Sequence, residues 1–142
     1  VANLIGSFRE ALAADLALRF PDAEVHQGER TGKAVQKPML ALAWAGTSEE
    51  GNEVVVATAR FLVRYWPVSA VIRNDAPAGT RDPSELEQAA WDLAEFLQTK
   101  QKSYSSTGAW HSRMLGVTPN YDPEEWGVEA ELIVQFTNPA VI

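Results

Sequence analysis

Residues 53–66, "EVVVATARFLVRYW", restrict the fold more than any other stretch of this sequence. Alternation puts Val55, Ala57, Ala59, Phe61, Val63 and Tyr65 on one side of a strand, an apolar face of small and large residues suited to receive helices. The other side carries Val54, Val56, Leu62 and Trp66 beside Arg60 and Arg64. A strand buried on one face only should alternate apolar with polar, and this one is apolar on both. Either a second layer buries both faces, or the mixed face meets another molecule. In the second case the arginine stems cover apolar area while their guanidinium groups reach carboxylates or carbonyls.

The flanking segments supply what such a strand needs. In "NLIGSFREALAADLALRF", Leu4, Phe8, Leu12, Leu16 and Phe20 recur every four positions, which predicts an amphipathic helix with Asn3 as its N-cap and Pro21 as its stop. "DAEVHQG" predicts one short strand, and "ERTGKAVQK" a polar loop. "PMLALAWAG" reads as a strand buried on both faces, with Pro38 at its first position, where a missing ladder donor does least harm. The turn "TSEEGN" joins it to the long strand as a hairpin. Pro67 implies that the long strand bends there or lies at a sheet edge before continuing through "PVSAVIRN".

After the connection "DAPAGTR", Asp82 can cap a helix, with Pro83 at its first position and Glu85 three residues after the cap. Its stripe is Leu86, Ala89, Ala90, Leu93, Phe96 and Leu97. "AWHSRMLGVT" and "WGVEAELIVQFT", joined by "PNYDPEE", read as two more strands. The last sets Trp126, Val128, Ala130, Leu132, Val134 and Phe136 against Glu129, Glu131 and Gln135. The expected fold is α+β, an antiparallel or mixed β-sheet with two main helices packed on one face, in a single domain spanning 1–142.

Little in the sequence supports catalysis. The chain has no cysteine, which removes disulfides, thiolate metal sites and cysteine nucleophiles. Its two histidines, His26 and His111, show no zinc-ligand spacing, although His111 could serve as a general acid or base with a distant carboxylate. "GERTGKA" is one residue short of a P-loop and lacks the following Ser or Thr. "YDPEEW" has neither the length nor the ligand pattern of a calcium loop. No cofactor or metal is expected. The formal charge of −7, without a Lys/Arg block, argues against a grip on phosphate backbones. No apolar run nears the ~20 residues of a membrane-spanning helix, and the opening segment lacks signal-peptide character, so a cytoplasmic location and no membrane contact are expected.

Surplus apolar surface is what the sequence does offer. Counting about 100° per residue, Trp91 falls about 140° from Leu86, off the helix's core stripe. A tryptophan there either packs beneath "SYSSTG" or a terminus, or anchors a partner. The candidate interface residues are therefore Arg60, Leu62, Arg64, Trp66 and Trp91, with Arg30, Lys33 and Lys37 as long cations on the polar loop.

Taken in order, "SFREALAADLALRFPDAEV", "PMLALAWAG", "ARFLVRYWPVSAVIRN", "ELEQAAWDLAEFLQTKQ" and "GVEAELIVQF" resemble the small tail terminator (tail completion) proteins of long-tailed bacteriophages, particularly of Mu-like phages. The resemblance spans most of the chain through element order and texture, and carries no invariant motif and no catalytic residue. It implies a virion structural protein that is not an enzyme. It also implies a homo-hexameric ring that caps the head-proximal end of the tail tube, stops its polymerisation and presents a surface to the head-completion or neck protein. The ring's place would be the host cytoplasm during assembly and then the virion neck. DNA would cross it without sequence-specific binding, which suits an acidic chain. The alternatives are another neck or head-closure protein of the particle, or a small enzyme or ligand-binding domain.

Overall fold

The computed structural model describes residues 4–28, 38–48, 55–67, 82–99, 110–122 and 126–137. Two helices and five strands lie within them: α1 (Leu4–Arg19), β1 (Glu24–Gln27), β2 (Met39–Ser48), β3 (Val55–Trp66), α2 (Pro83–Thr99), β4 (Trp110–Asn120) and β5 (Gly127–Thr137). They make an α+β fold around one mixed sheet of order β1-β2-β3-β5-β4. β1 and β2 are parallel, and the other three pairings are antiparallel.

The four-residue spacing of α1 buries Phe8, Leu12 and Leu16. The Phe20 amide donates to the Leu16 carbonyl at 2.9 Å, closing the last turn just before Pro21. Asn3 lies outside the described residues. At the start of α2, the Asp82 carboxylate accepts the Ser84 amide at 3.0 Å, the N-cap that the sequence predicts, and Pro83 is the first helical residue. The return half of a capping box is not made through Glu85 Oε2, which is buried without a hydrogen-bond partner among the described residues. Asp82→Ala should lower the urea midpoint by the equivalent of about 1 kcal/mol.

One buried cluster takes Phe8, Leu12 and Leu16 from α1, Leu86, Leu93 and Leu97 from α2, and alternating residues of the sheet. β3 gives it Ala59, Phe61 and Val63, and β5 gives Val128, Ala130, Leu132, Val134 and Phe136. The Phe8 ring lies 5.0 Å from Phe61 and 6.3 Å from Phe136, tying α1 to the two central strands. Phe20 does the same between Tyr65 of β3, at 5.0 Å, and Phe96 of α2, at 6.2 Å. Burial raises the Tyr65 phenol above its ordinary pKa, the Asp92 carboxylate adds to the rise, and Arg19 opposes it.

β3 is not an edge strand. It is the central strand, paired with β2 on one side and β5 on the other, and it ends at Trp66. Pro67, which has no amide proton to donate, directly follows the last residue of β3. "PVSAVIRN" beyond Pro67 lies outside the described residues. β4 runs two residues further than the sequence suggests, through Pro119 and Asn120 opposite Val128 and Gly127. That proline is tolerated because β4 is an edge strand of the described sheet.

β2 buries Met39, Leu40, Ala41 and Leu42 in succession, as a strand covered on both faces should. Trp44 then breaks the pattern at 48% exposure. The register shifts between Trp44 and Gly46, and Gly46 takes a φ of +118°. Trp44 still pairs with buried Phe61, and it is beyond Trp44 that the bulge changes the parity of β2.

Candidate functional site

Side chains of β3 and β5 that point away from the buried cluster form cross-strand rows fixed by the register. Arg64 faces Glu129, which faces Thr118 of β4; Leu62 faces Glu131, which faces Gly116; Arg60 faces Ile133, which faces Arg113. Leu62, Trp66 and Ile133 are half-buried on this surface, and Arg60 and Arg113 are exposed. The sheet's outer side is thus partly apolar and lined with guanidinium groups.

Two of these guanidinium groups already have partners. Arg64 Nε lies 2.8 Å from Glu129 Oε2, straight across the ladder. Arg60 Nη2 reaches Glu131 Oε1 at 2.7 Å on the diagonal, with Nε at 2.9 Å from the same oxygen. The carboxylates that these arginines reach are those of β5 in the same chain. Both pairs are solvent-accessible, so each contributes at most about 1 kcal/mol while the face is wet. A double-mutant cycle of Arg64→Ala and Glu129→Ala should give a coupling below about 1 kcal/mol that shrinks as salt is added. Among the described residues Arg113 has no ion-pair partner, making it the extra cation of these rows.

The outer face is not uniformly open. Met39 and Ala41, opposite Trp66 and Arg64, are buried. Nearby, a shallow depression of about 260 Å³ is lined by Arg64, Trp66, Asn120, Gly127, Val128 and Glu129.

Trp91 lies elsewhere. It projects from α2 at 69% exposure, while Leu86, Ala89, Leu93, Phe96 and Leu97 of the same helix are buried. Glu87 and Glu95, one turn to either side, are exposed as well. The structure therefore groups Arg60, Leu62, Arg64 and Trp66 on the sheet and sets Trp91 on a separate surface. Arg30, Lys33 and Lys37 lie outside the described residues, as do "ERTGKAVQK" and "SYSSTG". A groove of about 360 Å³ involves Asp15, Leu18 and Arg19 of α1 with Glu95, Phe96 and Thr99 of α2, and Leu18 is 80% exposed there.

For the catalytic alternative, the backbone places His111 opposite Gln135 in the β4–β5 ladder. His26 is exposed on β1, its Nε2 3.7 Å from Glu24 Oε2. No group of three or more His, Asp or Glu able to hold a metal occurs among the described residues.

Sequence reasoning did not single out Ile133 or Arg113 for this surface. Both look ordinary within their own strands, and only the register sets them in one row with Arg60. No protein-family model matches the chain, and no curated protein matches it.

Proposed function

We propose that this protein is the ring-forming terminator of a bacteriophage tail, a structural subunit without catalytic activity. The observation that carries the reading is a pair of separated surfaces: an exposed tryptophan on α2, and a sheet face where half-buried apolar residues lie among arginines. An exposed tryptophan and an arginine-lined apolar face are what interfaces concentrate. Two unlike surfaces on one subunit suit heterologous contacts, which close into a ring when the rotation between copies allows it.

In this reading the chain is one domain whose two helices cover one face of the sheet, leaving the other for assembly. Six copies cap the head-proximal end of the tail tube, halt addition of tube protein and receive the head-completion or neck protein. The formal charge of −7 lets DNA pass through the ring without being held. The resemblance in element order and texture to tail terminators supplies the particular assembly, and the two surfaces supply a physical means of forming it.

The test is to polymerise tail-tube protein with and without this chain and to image the products by electron microscopy. The expected result is tubes of limited length, each carrying a ring of density at one end. Tubes that grow equally long and bare in its presence overturn the reading. Density at the portal side of the neck instead would assign the chain to head closure.

A further inference from the structure

We infer that neighbouring copies in the ring are joined by the Glu87–Trp91–Glu95 line of α2 in one copy, seated on the Arg60–Ile133–Arg113 row of the next copy's sheet. This rests on the ring reading above and names its contact. The two surfaces match in order of chemistry. On the helix an exposed tryptophan stands between two exposed carboxylates, each four residues away and so on the same side of the helix. On the sheet a half-buried isoleucine stands between two exposed arginines, one on each neighbouring strand.

They match in spacing too. Eight residues of helix separate the backbones of Glu87 and Glu95 by about 12 Å. Two strand spacings separate those of Arg60 and Arg113 by roughly 10 Å. Side chains as long as Arg and Glu absorb that difference. With the carboxylates over the guanidinium groups, the indole falls on Ile133, and half-buried Leu62 adjoins it. Arg113 brings a charge that no described carboxylate engages, while Arg60 remains 55% exposed beside Glu131 and has donors to spare.

Charge complementarity selects a second copy of this chain as the occupant. The acidic tryptophan line cannot reach the arginine row of its own sheet, because the buried stripe of α2 faces the cluster on the opposite side. Each copy thus uses its helix on one neighbour and its sheet on the other. That is a head-to-tail contact that can propagate around a ring.

Charge exchange tests it, with the full chain studied by sedimentation velocity and native mass spectrometry. Wild-type chain is expected to self-associate as its concentration rises. Glu87→Arg with Glu95→Arg, and separately Arg60→Glu with Arg113→Glu, should each weaken association by at least about tenfold, because like charges then face each other. Circular dichroism should show both variants folded. An equimolar mixture of the two should associate again, since each helix then meets a sheet of opposite charge. A wild-type chain that stays monomeric at every concentration, reversals that leave association unchanged, or a mixture that stays dissociated would each overturn the contact. Capped tubes with unaffected charge variants would sink this contact and leave the terminator reading standing. Restored association in the mixture with no effect on tubes would do the reverse.

Discussion

Leu132→Glu should leave no cooperatively folded protein. Leu132 is 2% exposed in the middle of β5, opposite Phe61 of β3 and Met114 of β4, and belongs to the cluster that both helices share. Removing the leucine packing alone costs about 2–5 kcal/mol. The new carboxyl must then either stay ionised in an apolar site or take up a proton and be buried as the neutral acid, and either course adds further cost. A domain of this size is stable by only about 5–15 kcal/mol, so the sum reaches the whole of it. Far-ultraviolet circular dichroism and urea titration should show no transition for Leu132→Glu. Leu132→Ala should keep a transition with its midpoint displaced by the equivalent of about 2–5 kcal/mol. A native-like transition in the glutamate variant would mean that the buried cluster is not the core of the fold.

That result would turn on a pattern plain in the sequence. The alternation of Val128, Ala130, Leu132, Val134 and Phe136 names the buried side of β5 without further information, because strand side chains have a period of two. Asp82 followed by Pro83 marks the start of α2 equally well, since capping is local chemistry. The order of the strands is less legible. β5 inserts between β3 and β4, a long-range choice that no local residue encodes, and Pro67, which allows either a bend or an edge position, does not reveal that β3 is the central strand. Trp44 shares parity and register with Leu40 and Leu42 and is nevertheless exposed, a difference that alternation alone does not carry.

The interaction surface divides in the same way. Arg60, Leu62, Arg64 and Trp66 stand out within one strand because their alternation is wrong for a solvated face. Their in-chain partners Glu129 and Glu131 are visible as acids, but which arginine each one meets depends on a register fixed by the whole sheet. Arg113 and Ile133 stay hidden for that reason. Being read from a single segment, the first set does not reveal that Arg60 and Arg64 each already touch an acid of β5 while remaining solvent-accessible.

Trp91→Glu should separate folding from assembly. The side chain is 69% exposed and lies outside the buried stripe of α2, so its removal withdraws little apolar area from the core. The new carboxylate stands one turn from Glu87 and one from Glu95, and such like-charge pairs cost a helix only about 0.2–0.5 kcal/mol each. The urea midpoint should therefore move by the equivalent of about 1 kcal/mol or less. Association should suffer far more, because a tryptophan at the centre of a contact typically contributes 2 kcal/mol or more, or about thirtyfold in affinity. Trp91→Phe should keep much of the association, since the phenyl ring still fills most of an apolar seat. Sedimentation velocity across a concentration series, read beside urea titrations of the same samples, compares the two losses directly. If Trp91→Glu lost folding to the extent of Leu132→Glu, the indole would be a core group despite its exposure. If it lost neither folding nor association, the helix line would have no part in assembly.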